Sequence, residues 1–132
     1  MKPNRSVPSA AVIPELPYPD VREAVAWLCR AFGFRERLQI GDHRAQLVYE
    51  DGAVIVIQRD DPSPANVLVR VPDAAAHHRQ AAAAGAKILS EPTDHPYGER
   101  QYNAEDLGGH VWTFSESIAD VDPADWGGTL KD

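Results

Sequence analysis

One repeat constrains this chain more than any other feature. Asp20 opens a stretch in which Val21, Ala24, Val25, Leu28 and Phe32 recur at helical spacing, and Gly33 follows that stripe. Asp73 opens a second such stretch, Ala74 to Ala84, which Gly85 closes. The two aspartates lie 53 residues apart, and their closing glycines fall 13 and 12 residues downstream. Glu23, three residues after Asp20, completes a capping box. A strand-like segment precedes each aspartate and three follow each glycine. The pattern is one βαβββ unit present twice.

In the first unit the strands are expected at Ala11–Tyr18, Phe34–Ile40, Ala45–Tyr49 and Ala53–Gln58, with Gly41-Asp42 and Asp51-Gly52 as hairpin signals. In the second they are expected at Val67–Val71, Lys87–Ser90, around Arg100–Ala104 and at Val111–Phe114. Asp106-Leu107-Gly108-Gly109 turns the chain between the last two. The segment 60–64, DDPSP, is too short to separate independent domains and reads as a connection. A single domain over 1–132 is therefore expected, with modules at about 11–60 and 65–116 and a tail at 117–132. Neither unit can bury a sheet face alone, so the two should pair. The expected fold is α+β: two βαβββ modules forming a cupped mixed β-sheet, with the helices on its outer face. Trp126 in the tail should dock on the body or on a second subunit.

Charge and cysteine usage narrow the function classes. A net charge of −7 with scattered Lys and Arg gives no phosphate track, so neither nucleic acid nor an anionic membrane is an expected partner. No run approaches about 18 consecutive apolar residues. The proline-interrupted N-terminus lacks an apolar leader core, so a cytoplasmic location is the expectation. Cys29 stands alone, which excludes an internal disulfide, and its apolar neighbours suit a buried inert thiol. His77 and His78 are adjacent on a helix and diverge by about 100°. With His43, His95 and His110 in turns or loops, no histidine pair has metal-motif spacing. No nucleophile elbow or phosphate loop is present, so no catalytic residue is assigned.

The segments PYPD before the first helix, AFGF after it and PYGERQY…EDLGGHVW near the end resemble the vicinal oxygen chelate superfamily. This is the group of glyoxalases, bleomycin-resistance proteins and extradiol dioxygenases. The resemblance spans roughly Val12 to Ser115. Tyr97-Gly98-Glu99-Arg100 stands where relatives often carry Trp-Gly-x-Arg. Asp106-Leu107-Gly108-Gly109-His110 stands for Asp-Pro-x-Gly-His. The resemblance implies a homodimer. It also implies, in metal-dependent members, four ligands from the first and last strands of each unit. Here those positions fall at about Ile13, Gln58, Asn66 and Thr113, a set unsuited to a divalent ion, so no metal and no cofactor is expected.

Strand alternation says which side chains should line the concavity. Trp112 and Phe114 are assigned to the helix side, which leaves Val111, Thr113 and Ser115 inside. Ile55 and Ile57 are likewise assigned outward, leaving Val54, Val56 and Gln58 inside. Val67, Val69 and Val71 outward leave Asn66, Leu68 and Arg70 inside, with Glu15 and Ile13 beside them. Arg70 and Glu15 could simply pair with each other. The candidate ligand-binding residues are Gln58, Asn66, Arg70, Tyr97, Arg100, Tyr102 and Thr113, the arginine and tyrosines near the mouth being implied by the resemblance. The expected function is metal-independent binding of a small aromatic or amphipathic molecule. The alternatives are a metal-dependent or acid/base lyase, isomerase or dioxygenase, with His43, Glu99 or His110 entering the cavity, or a regulatory or partner-binding domain whose cavity is filled.

Overall fold

The structure, a computed structural model, describes residues 2–61 and 63–131. Pro62, in the connection between the modules, lies outside the described residues. The first module comprises β1 (Glu15–Tyr18), α1 (Val21–Phe32), β2 (Arg35–Ile40), β3 (Arg44–Tyr49) and β4 (Gly52–Gln58). The second comprises β5 (Asn66–Arg70), α2 (Ala74–Ala83), β6 (Lys87–Asp94), β7 (Glu99–Glu105) and β8 (Val111–Ser117). Each forms a four-stranded mixed sheet, in the orders β1-β4-β3-β2 and β5-β8-β7-β6. The first strand of each module pairs in parallel with the last, and the other neighbours are antiparallel. The repeat inferred from spacing is thus a repeat of topology.

The helix boundaries follow from local chemistry. The Asp20 carboxylate accepts from the Glu23 amide, and Asp73 accepts from that of Ala76, which satisfies one orphan donor at each start. Gly33 closes α1 in the left-handed region, donating its amide to the Cys29 carbonyl. Cys29 itself is half-buried, and burial raises its thiol above the usual range.

The modules meet through their helix-bearing faces. Phe32, at the end of α1, packs against Phe114, Trp112 and the His77 ring, while Phe34 packs on Trp112. These rings join Leu16, Tyr18, Leu47, Val54 and Val56 in one core that both sheets share. The other face of each sheet turns away from that core, and the two sheets are not hydrogen-bonded to one another. On the first sheet that outer face is partly covered by the N-terminal arm. Gln46 donates to the Ser6 carbonyl at 2.9 Å, and Arg37 to that of Arg5 at 2.7 Å.

A buried polar seam fixes the modules to each other. The Tyr18 hydroxyl donates to Asp106 at 2.6 Å, and the Trp112 indole donates to the same carboxylate oxygen at 3.0 Å. The other oxygen of Asp106 accepts the Gly108 and His110 amides, so one side chain shapes the β7–β8 turn and holds β1. Gly108 lies against Tyr18 so closely that a Cβ there would come within 2.6 Å of the ring. His110 is fully buried. It accepts the Ala65 amide on Nδ1 and donates from Nε2 to the Pro17 carbonyl, and so bridges the modules.

The tail docks on the loop before β7. Ile118 and Ala119 both donate to the Gly98 carbonyl, and the Trp126 ring lies 5.5 Å from that of Tyr97. Gly98 has φ +86°, and a Cβ there would stand 2.3 Å from the Ala119 carbonyl oxygen. Gly98→Ala is therefore expected to release the tail and to lower stability by about 1–3 kcal/mol. Limited proteolysis should then cut within 118–131 before the body. Unchanged protection would refute this account of the docking.

Candidate functional site

Two neighbouring features can hold a ligand: the outer face of the second sheet and a cavity at the seam between the modules. On the sheet face, register brings Asn66 beside Val111, Leu68 beside Thr113 and Arg70 beside Ser115. Across the hairpin, Thr113 and Ser115 face Asn103 and Gln101. A directed chain of hydrogen bonds covers this surface. The Tyr97 hydroxyl donates to Gln101, whose amide donates to Ser115, whose hydroxyl donates to Glu99. Thr113 donates to Asn103, and Arg70 donates to Ser117 at 3.0 Å. Hydrogen bonds from Ser115 and Ser117, aided by the Arg70 charge, hold the Glu99 carboxyl below the usual range.

The seam cavity is a half-open hollow of about 520 Å³. Its apolar wall comes from Phe34, Tyr49 and Val54 of the first module and Val67 and Val69 of the second. Glu50 and Asp51, in the β3–β4 turn, stand at its rim, and Leu68 and Arg70 connect it to the sheet face. It exists because β5 is an edge strand whose half-buried valines have no third layer to cover them.

The expected site residues divide between the two faces of the sheets. Asn66, Arg70, Tyr97 and Thr113 come together on or beside the outer face of the second sheet. Gln58, Arg100 and Tyr102 do not. Val54 and Val56 belong to the core, so Ala53, Ile55 and Ile57 point away from the helix, and the inside-outside assignment of β4 is reversed. Every residue of that strand is apolar from Ala53 to Ile57, which leaves alternation nothing to read. Gln58 shares the parity of Val56 and bonds to the Pro19 carbonyl and Asp60 at the strand end. Tyr102 is fully buried on the helix side, where its hydroxyl meets His77. Arg100 follows the same parity and pairs with Asp94 at 2.7 Å. Glu15 pairs with Arg44 at 2.8 Å and not with Arg70.

A metal centre of the type the resemblance implies finds no fitting donor set. Ile13 offers no ligand atom, and Gln58 lies on a different face from Asn66 and Thr113. Among the described residues, no three His, Cys, Asp or Glu side chains cluster in a way that could hold an ion. His110 is engaged on both ring nitrogens, His43 lies exposed in the β2–β3 turn, and Glu99 sits on the outer face of the second sheet. Sequence reasoning missed Phe34 and Tyr49 as site residues. Both follow the helix-closing stretch as ordinary strand aromatics, and only the approach of β5 makes them a wall.

A family model of the Glyoxalase/Bleomycin resistance protein/Dioxygenase superfamily matches residues 10–114, and the chain belongs to that superfamily. Among solved structures, TioX from Micromonospora sp. ML1 is 36% identical, with TM-score 0.76 over 83% of this chain and 100% of that one. A glyoxalase/bleomycin resistance protein/dioxygenase family enzyme from Burkholderia phytofirmans PsJN is 14% identical, with TM-score 0.70 over 83% and 100% of the two chains. The fosfomycin resistance protein FosX from Listeria monocytogenes is 13% identical, with TM-score 0.69 over 95% and 98%. The last two likenesses speak to the fold alone. No curated protein matches the sequence. No helix among the described residues is long and apolar enough to cross a membrane.

Proposed function

We propose that this chain binds a small aromatic or amphipathic molecule without a metal ion, with the ligand's apolar body in the seam cavity. The observation that carries this reading is the cavity itself. About 520 Å³ is within the range of small-molecule sites, and its wall of two aromatic rings and three valines suits an apolar ligand. The polar groups of the adjoining sheet face supply orientation: Asn66, Arg70, Thr113 and the chain ending on Glu99.

The acid/base alternative has one residue in its favour, Glu99, and one property against it. A carboxyl held below the usual range is a weak proton acceptor near neutral pH. A homodimer is part of the proposal. Leu68, 58% exposed on the outer face of the second sheet, is a large apolar side chain that a second copy could cover.

Thermal-shift screening of aromatic and amphipathic compounds, on metal-stripped and metal-supplemented protein, tests the central claim. The expected result is a set of stabilising compounds whose effect is the same in both preparations. Filling the cavity by Val69→Trp should abolish the effect while leaving the fold intact by circular dichroism. Stabilisation that requires zinc, nickel, manganese or iron would overturn the metal-independent reading. Light scattering should report a dimer, and a monomer at micromolar concentration would remove that part.

A further inference from the structure

The charged groups at the seam cavity are not balanced. Arg70 is satisfied: it donates to Ser117 and lies near enough to Glu99 to help hold that carboxyl ionised. Glu50 and Asp51 are not. Among the described residues neither takes part in an ion pair or a side-chain hydrogen bond. The carboxylates paired with arginine are Glu36, Glu15, Asp61 and Asp94, and Glu91 meets the His78 ring. Arg35 lines the smaller hollow on the far side of the same turn, yet stays beyond ion-pair distance of both. Arg37, also in that hollow, is occupied by Gln46 and the Arg5 carbonyl.

The backbone reinforces the point. Glu50 has φ +51° and is the only non-glycine residue with positive φ among those described. It occupies the first position of a two-residue hairpin loop, where glycine is the natural choice. The sequence instead places a carboxylate there, at the rim of the cavity that the neighbouring Tyr49 also lines. Burial and the Glu50 charge both push the Tyr49 phenol up, and Glu50 and Tyr49 line the same cavity. An anionic rim beside an aromatic wall is the environment that attracts an organic cation.

We propose that the seam cavity is selective for organic cations. The ligand class is an amine or quaternary ammonium on an apolar body, with the charge at the Glu50–Asp51 turn and the body between Phe34, Tyr49, Val67 and Val69. This deepens the small-molecule reading and rests on it.

The test uses three probes of one shape and three charges: phenylbutylamine, phenylbutanol and phenylbutyrate. Calorimetry is run at about pH 7.5, where the amine probe carries its charge. The amine should bind about five- to tenfold tighter than the alcohol, and the carboxylate more weakly than either. Raising salt to about 0.5 M should reduce the preference. In the double variant E50Q/D51N the amine should fall to the level of the alcohol. Glu50→Gly provides a control against misfolding: it relieves the left-handed backbone, so it should raise the melting temperature while weakening the amine.

The outcomes separate the two claims. If the alcohol or the carboxylate matches the amine, or if the preference survives in E50Q/D51N, cation selectivity is overturned and the small-molecule reading stands. If no probe binds at millimolar concentration and the amide resonances of Tyr49, Val67 and Val69 do not move, both claims fall for this site.

Discussion

Asp106→Ala is expected to lower the unfolding free energy by about 4 kcal/mol, close to the whole stability of a marginal domain. The carboxylate is 5% exposed and accepts four hydrogen bonds, from the Tyr18 hydroxyl, the Trp112 indole and the Gly108 and His110 amides. Removing it leaves four donors without their partner, three of them in buried bonds, and each buried orphan costs about 1 kcal/mol or more. The loss spans two levels of structure, because the same side chain forms the β7–β8 turn and ties β1 to it.

Asp106→Asn should cost about half as much. Its oxygen can still accept the two turn amides, and the Tyr18 hydroxyl can rotate to accept from the new amide. The Trp112 indole then faces a donor. Urea unfolding should show the midpoint falling in the order wild type, Asn, Ala, with unchanged slope. A loss below about 1 kcal/mol for Asp106→Ala would show that the network contributes little and that apolar packing alone joins the modules.

The second large effect is a loss of stability in mild acid carried by His77. Its ring is 9% exposed, between Phe32 and Phe114. Nε2 meets the Phe32 carbonyl at 2.9 Å, and a carbonyl only accepts, so the proton sits on Nε2. Nδ1 therefore accepts from the Tyr102 hydroxyl, and the neutral ring is satisfied at both nitrogens. Burial lowers its pKa, and the bond to Phe32 offsets part of that effect. Its other ring neighbour is Tyr102, so aromatic groups surround it on α1, β7 and β8.

Because the folded value lies below the unfolded one, the stabilisation is complete above about pH 6.5 and is lost as the pH falls below it. The slope approaches about 1.4 kcal/mol per pH unit for the one proton involved. His77→Leu should be less stable at neutral pH by about 2 kcal/mol, since the Tyr102 hydroxyl and the Phe32 carbonyl lose their partner. It should nevertheless lose less than the wild type between about pH 7.5 and about pH 5. Exposed carboxylates titrate alike in both proteins and cancel in the difference. Equal acid losses in the two would rule out His77 as the source.

Much of the architecture is already determined by the sequence. Helix starts at Asp20 and Asp73, stops at Gly33 and Gly85, and the glycine turn before β8 are local choices made by capping and by positive φ. Where polar residues mark one face, as Asn66 and Arg70 do in β5 and Thr113 and Ser115 in β8, the facing of each side chain could be read as well. Val67, Val69, Trp112 and Phe114 lie on the helix side, and Asn66, Arg70 and Thr113 on the other.

What remained was decided by how the modules meet. The apolar run of β4 carries no alternation, so only the core shows which face is which. Arg100 and Tyr102 look like cavity residues by resemblance, but strand parity gives them the other face, where Tyr102 meets His77 and Arg100 pairs with Asp94. Asp106 reads as a turn residue until Tyr18, 88 positions away in sequence, is seen to donate to it. The seam cavity likewise joins Tyr49 and Phe34 to an edge strand of the other module. Local signals fix the chain within a few residues of themselves. Pairing across the seam depends on shapes that exist only once both sheets have formed, and that is where the candidate site lies.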